Sequence, residues 1–486
     1  MAHRVTERLV GGTINGASDG NLMGNGQPMQ PVAPDFITIA GTDLPSPDTS
    51  SFPDGFWPEL IDPPLTQKDK QARCQFSTEQ IRKRAMRLST AKASGPSGQG
   101  NWLIKLIYRH GGQIADDMTT IINRIAAADY SEDVRLLLLT GLGIGLPKPD
   151  GGTRPIVIGE CIIRFVGSLT MNHIRSEACN YFQKLQLGVG VENGTEIMVH
   201  SVRTLMDIHP EWVAIACDAE NAFNSFTRDA LFDQVSAKFP SVAAFVKFVY
   251  GVTSSIVFPI NSHEAGHIGC SVGCRQGGSE GSFCYALALH PILEELAATF
   301  PDCVIIAYAD DVWILGPPAR AALAFRSFRS MYDLKLKGNL RVDKCMVYSP
   351  TLSPEQLLDA DLPAELEYRS PLCPQPAQQG IRCVGAPIST SESYMAWYME
   401  EKVTELRQHL DLTDLYKSSQ NKLSIASQSI VHKMQFLLRV TPPLPAVVVA
   451  SQKFDQAIRG VLQRLAGPGT LPGARPNFRS NLGVSA

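Results

Sequence analysis

Two short apolar runs, Val304 to Ala307 and Val312 to Leu315, close on the adjacent carboxylates Asp310 and Asp311 in the stretch VIIAYADDVWILG. Runs of this length and polarity are the signature of buried strands, so the segment is predicted to be a buried β-hairpin with its acids at the bend. Such a turn holds two like charges together in apolar surroundings, and they must be neutralised by protonation or by a cation. A divalent metal is the natural partner. An isolated Asp-Asp is more often an acidic surface turn, so the choice depends on what the rest of the chain supplies.

At 486 residues the chain exceeds the roughly 250 to 300 residues at which single cores stop growing, and two or three subdomains are expected. A net charge of -3 speaks against a globally basic nucleic-acid binder. Charge is uneven, however: Thr66 to His110 holds ten Lys or Arg against Asp69 and Glu79 only. The eleven cysteines form no CxxC pair, and Cys270 and Cys274 have no second pair at zinc-like spacing. Reduced thiols in an intracellular compartment, nuclear or cytoplasmic, are expected. No basic segment followed by an apolar run opens the chain and no window offers about 18 apolar residues, so no signal peptide, transmembrane segment or membrane partner is expected.

Residues 1–75, rich in Gly, Pro, Ser and Asp, read as irregular. Ser77 and Gln80 have capping-box spacing and open a basic helix through Leu88, whose Arg82, Lys83, Arg84 and Arg87 are candidates for phosphate contacts against the plain alternative of a solvated face. NWLIKLIYRH and Ile114 to Leu139 read as helical. In GIGLPKPDGGTRPIVIG two strands flank Asp150-Gly151-Gly152, a strong hairpin signal, with Lys148 and Arg154 on opposite limbs. Trp212 to Cys217 is a strand that delivers Asp218 at its end, followed by AENAFNSF. A Gly-rich turn, Gly273 to Ser279, containing Gln276 and Gly277, precedes a helix from about Glu280 to Ala298, and its glycines would let backbone approach a base or sugar closely. A helix from Ala319 to Tyr332 leads to a strand, Leu340 to Ser349, containing Lys344. Residues 351–380 read as an acidic surface insertion, Ile381 to Ile388 as a strand, Tyr394 to Arg439 and Ala446 to Leu465 as helices, and the last 20 residues as loose.

This ordered set resembles the reverse transcriptase domain of non-LTR retrotransposons and, more distantly, group II intron reverse transcriptases. LPKPDGGTRPIVIGECIIRFVG is similar to the family's fingers motifs, and CDAENAFNSF, GCRQGGSEGSFCYALALHPIL, AYADD and LRVDKCMVYS are similar to four successive palm motifs. CVGAPI resembles the primer-grip turn, KASGPSG an upstream turn, and the helical C-terminus with FLLRVTPP a thumb. The resemblance covers roughly Phe76 to Leu465. Gly278-Ser279-Glu280 departs from the family's usual Asp-Pro-Leu or Ser-Pro-Leu, and Asn224 stands where many relatives carry Asp.

The resemblance implies an α+β right-hand polymerase: fingers at 76–211, a palm with an antiparallel sheet at 212–390, a helical thumb at 391–466 and a tail at 467–486. It implies an RNA-directed DNA polymerase that adds dNTPs to a DNA primer on an RNA template by two-metal phosphoryl transfer, with Mg ions, or Mn in their place. Asp218 and Asp310 are expected as ligands of both metals, with Asp311 completing the site. Lys148 and Arg154 would hold the triphosphate, Gln276 and Gly277 would line the nucleotide, and Lys344 would serve the leaving-group end. Phe223, five residues after Asp218, would set a ring against a 2' hydroxyl and favour dNTPs. The alternatives are a decayed or co-opted nucleic-acid-binding protein from such an element, which the intact Asp218, Asp310 and Asp311 oppose, and an RNA-copying RNA polymerase, which Phe223 and the YADD centre oppose. With no recognisable endonuclease or zinc finger, the chain is expected to be a fragment or a truncated copy.

Overall fold

The computed structural model describes residues 64–147, 153–182, 184–259, 265–359 and 361–466. Its strands are β1 (Gly141–Pro147), β2 (Thr153–Gly159), β3 (Val213–Cys217), β4 (Ser254–Pro259), β5 (Ala265–Cys270), β6 (Val304–Tyr308), β7 (Asp311–Gly316), β8 (Met346–Tyr348), β9 (Glu367–Arg369), β10 (Ile381–Cys383) and β11 (Ala386–Ile388). They form a four-stranded sheet in the order β2-β1-β4-β5, a five-stranded sheet in the order β6-β7-β3-β8-β9, and the β10-β11 pair. With helices between and after them, the class is α+β.

The five-stranded sheet is apolar because both its faces are covered, which removes the usual alternation of apolar and polar residues. Val312 and Ile314 of β7, Ile305 of β6 and Val213 and Ile215 of β3 enter one core, while Trp313, Leu315, Ile306 and Ala214 enter a second on the opposite face. The first core is filled by the helix Gly281–Thr299, buried along most of its length, as its continuous apolar sequence requires. A third core joins Glu392–Leu412 to the C-terminal helices Val431–Val440 and Pro445–Ala466.

Several local expectations change. The capping box at Ser77 forms, and its helix runs Thr78–Met86. Within the stretch read as irregular, Gln67–Ala72 is a helix capped by Thr66, whose buried Asp69 pairs with Lys247 at 2.9 Å; residues 1–63 and 467–486 lie outside the described residues. The strand expected over Leu340 to Ser349 is confined to Met346–Tyr348, since the Arg341 amide donates to the Asp218 carbonyl and Val342–Lys344 winds into a 3-10 turn. The acidic stretch after Tyr348 is no plain surface insertion. Its Leu357, Leu362 and Leu366 are buried, and β9 joins β8 in parallel, so the sheet is mixed where an antiparallel one was expected. Ile381 to Ile388 is a tight hairpin rather than one strand, turning through Val384 and Gly385 at φ of 41° and 84°.

Candidate active site

Asp218 leaves the end of β3. Continuing the β3-β7 register one residue past the Cys217–Val312 pair sets it level with Asp311, the first residue of β7. Asp310 occupies the reversal that the Tyr308–Asp311 pair closes, so the predicted hairpin forms with its acids at the bend. Asp218 and the adjacent pair Asp310 and Asp311, distant from it in sequence, thus gather at one end of the sheet. Asp310 and Asp311 keep exposed surface, yet the protein packed around the turn, then repulsion from Asp310 and Asp218, push Asp311 up to about 7. Asp310 is raised by its surroundings and by Asp218, against the pull of a main-chain hydrogen bond and of the Arg154 guanidinium. Opposite charge restores the ionised form of such a cluster. Among the described residues no three His, Cys, Asp or Glu close into a metal cage. Magnesium asks for one or two carboxylates with substrate phosphates and water rather than an all-protein cage, and this open set of hard oxygen donors fits that demand.

The turn bearing Asp310 is strained and braced. Ala309 sits at φ 55°, a region unfavourable to any residue with a Cβ. Buried Gln186 donates its Nε2 to the Ala309 carbonyl at 2.9 Å, while its Oε1 accepts from the Ala309 amide at 2.7 Å and the Gly188 amide at 2.9 Å. Gly188 permits the approach, because a Cβ there would lie 2.5 Å from the Ala309 nitrogen. The sequence reading missed Gln186, although an amide and two glycines inside the apolar run LQLGVGV were a signal that backbone is met closely there.

Phe223 lies half-buried on the one-turn helix Ala222–Ser225. The Gly-rich turn docks on this segment: the Cys274 amide donates to the Phe223 carbonyl at 2.6 Å and the Gly273 amide to the Phe226 carbonyl at 2.8 Å. Its glycines do permit close approach, but to the protein's own backbone. A Cβ on Gly273 would stand 2.5 Å from the Phe223 carbonyl oxygen, and one on Gly277 would stand 2.3 Å from that of Val157. Glu280, one of the departures from the family pattern, is buried and accepts from the Tyr250 hydroxyl at 2.9 Å.

Arg154 is exposed on β2, near enough to Asp310 to pull its carboxyl down, whereas Lys148 and the Asp150-Gly151-Gly152 turn lie outside the described residues. The limbs beside that turn pair antiparallel from Gly141–Gly159 to Pro147–Thr153. Lys344 is exposed in its 3-10 turn beside Asp343. Arg341, which the sequence reading passed over, forks its guanidinium onto Asp343 at 2.9 and 2.6 Å, and Asp343, Glu220 and Asp218 raise its pKa further. The β10-β11 hairpin packs with Ile306, Trp313 and Leu315 in the second core, where burial and then Asp311 push the Cys383 thiol up.

The basic helix divides. Arg84 and Arg87 line a cavity of about 720 Å³ together with Lys92, Arg164, Arg175 and Gly277, with no carboxylate among the described residues of its wall. Arg82 and Lys83 are exposed and do not line it, and Lys83 stands 3.8 Å from Glu79.

Among known proteins, the family model described as reverse transcriptase (RNA-dependent DNA polymerase) matches residues 146–348. The retrotransposable element SLACS 132 kDa protein of Trypanosoma brucei gambiense is 26% identical over 239 residues, which are 48% of this chain. The match spans only 20% of that protein's length. Among solved structures, apo telomerase from Candida tropicalis, truncated from its C-terminal domain, is similar at a TM-score of 0.35 and 11% identity, over 49% of this chain and 56% of the other.

Proposed function

We propose that this chain, whose residues 146–348 are a reverse transcriptase domain of the kind carried by non-LTR retrotransposons, is an RNA-directed DNA polymerase that extends a DNA primer on an RNA template. The observation that carries this reading is the meeting of Asp218, Asp310 and Asp311 at one end of the five-stranded sheet, with Arg154 beside them. Domains of this family use divalent metal ions. Here Asp218 and Asp310 would each serve two magnesium ions, or manganese in their place, with Asp311 completing the set. Bound there, the ions would offset the charge that develops on the transferring phosphoryl group and favour ionisation of the primer 3' hydroxyl.

The chain's own residues supply position. Arg154 and Lys148 hold the triphosphate of a dNTP, and Arg341 and Lys344 keep positive charge beside Asp218 on the leaving-group side. Gln276 and Gly277 line the nucleotide and the template base, and Phe223 places its ring against the sugar, where a 2' hydroxyl would collide. The basic helix supplies backbone contacts, with Arg84 and Arg87 directed at the unpaired template through the cavity they line. No helix among the described residues is long and apolar enough to cross a membrane.

Primer extension on an RNA template, comparing dNTPs with rNTPs and parent with Asp310→Asn, tests the reading. Extension with dNTPs that requires Mg or Mn and falls more than about a hundredfold in the variant supports it. Extension within tenfold of the parent in Asp310→Asn places the chemistry elsewhere. Tight RNA binding with no extension would mark a co-opted binding protein instead.

A further inference from the structure

Beneath Phe223 two buried tyrosines meet through their hydroxyls. Tyr285, from the helix Gly281–Thr299, sets its ring 5.0 Å from that of Phe223 at a tilt of 39°, and 5.7 Å from that of Phe226. Its hydroxyl lies 3.1 Å from that of Tyr332, on the helix Pro318–Leu336 that follows β7. Both tyrosines are 0% exposed, whereas Phe223 keeps part of its surface open.

The segment from Asp218 to Thr227, which carries Phe223, is strapped to the last residue of that same helix and to the segment that follows it. The Thr227 amide donates to the Leu336 carbonyl at 2.8 Å, the Glu220 amide to the Asn339 carbonyl at 2.9 Å, and the Arg341 amide to the Asp218 carbonyl at 2.9 Å. Tyr332 stands one turn before Leu336. Gly338 presses on its ring, where a Cβ would come within 2.6 Å. The open ring of Phe223 therefore rests on Tyr285, Tyr285 is pinned to Tyr332, and Tyr332 belongs to the element that clamps the Phe223 segment.

Two phenylalanines would fill almost the same volume, so shape alone does not call for hydroxyls here. A buried hydroxyl is costly unless bonded, and the bond is directional, so the pair fixes how one ring tilts against the other in a way apolar packing does not. A steric test of a sugar is only as sharp as its floor is stiff, because a ring that can yield by a fraction of an ångström admits the larger substrate. We propose that the Tyr285–Tyr332 hydroxyl pair positions Phe223 for sugar selection, making both tyrosines positioning residues for the exclusion of nucleotides that carry a 2' hydroxyl. This rests on the reading of Phe223 as the residue that meets the sugar.

The test measures kcat/KM for a dNTP and its matching rNTP by single-nucleotide extension on an RNA template. The proteins compared are the parent, Phe223→Val, Tyr285→Phe, Tyr332→Phe and the double tyrosine variant, each with its melting temperature. Phe223→Val is expected to raise the rNTP to dNTP ratio at least about tenfold. Each tyrosine variant should raise it about threefold and the double variant no further, since the bond is lost only once. Gly338→Ala, which displaces the Tyr332 ring with both hydroxyls kept, should move the ratio the same way. If Phe223→Val changes the ratio and the tyrosine variants leave it within about twofold, lowering both efficiencies or the melting temperature alone, the pair is structural and the proposal falls. If Phe223→Val leaves the ratio unmoved in a folded protein, the sugar reading of Phe223 falls and takes the proposal with it.

Discussion

The Val157 amide donates to the Gln276 carbonyl at 2.8 Å, which ties β2, the strand bearing Arg154, to the turn bearing Gln276 and Gly277. Residues proposed to meet the triphosphate and the base are thereby held in one frame. Gly277 completes the joint at φ 128°, its α-carbon facing the Val157 carbonyl with no room for a methyl group.

Gly277→Ala should therefore open this joint. The backbone conformation and the 2.3 Å approach to the Val157 oxygen are both incompatible with a Cβ, and strain of this kind costs about 1 to 3 kcal/mol. The turn should move away from β2, raising KM for dNTPs roughly tenfold or more, with the melting temperature lowered only modestly. Steady-state extension kinetics beside a thermal melt check this, and an unchanged KM would show that the turn and β2 act independently.

The acid cluster predicts a pH dependence of stability. Asp311 is raised from 3.8 to about 7, so between those values the folded state holds a proton that the unfolded state has released. Stability contributed at this site is therefore present in acid and declines as pH rises towards 7, the reverse of a salt-bridged carboxylate. Without divalent metal, the melting temperature of the parent minus that of Asp311→Asn should fall between pH 4 and 7 and then level off. Added Mg or Mn should raise the parent's melting temperature above pH 7 more than the variant's. A difference that is flat with pH would mean that neither the surrounding protein nor the neighbouring carboxylates hold a proton on Asp311 in the folded state.

Gln186→Leu removes all three hydrogen bonds made by the amide and leaves the main chain of Ala309 without those partners, at about 1 to 3 kcal/mol for each buried group orphaned. With the left-handed Ala309 no longer held, the Asp310 carboxylate should lose its set position. The expected signature is a large drop in kcat with little change in KM, because the residues proposed to meet triphosphate and base lie on other elements. Gln186→Glu keeps an acceptor for the Ala309 amide but loses the donor, so it should be intermediate or worse. Equal kcat in a folded Gln186→Leu protein would show that the turn holds itself.

What the sequence reveals follows from the range of the forces involved. The β6-β7 hairpin, the capping box at Ser77 and the delivery of Asp218 by β3 are written in neighbouring residues and were legible there. The bracing of Asp310 by Gln186, the docking of Gly277 on Val157 and the capture of Arg341 beside Asp218 join residues distant in sequence, so no local period or spacing reports them. The stretch after Tyr348 misled for the same reason. Its acids dominate the composition, while the three leucines that bury it are too widely spaced to show a pattern, and β9 owes its place to pairing with β8.

The basic helix offers the last prediction, because its four cations do not share one environment. Arg84 and Arg87 line the cavity that reaches Gly277, while Arg82 and Lys83 stand outside it. If the unpaired template threads this cavity, each cation on a phosphate releases one counterion, worth about 0.7 in the log-log salt slope for a single strand. Arg84→Gln with Arg87→Gln should make the slope for single-stranded RNA shallower by about 1.4, whereas Arg82→Gln with Lys83→Gln should change it by well under half of that. The loss should be alike for unrelated sequences, since phosphate contacts carry no base information. Binding titrations across a salt series decide the matter, and equal slopes for the two pairs would return the cavity to a role inside the protein alone.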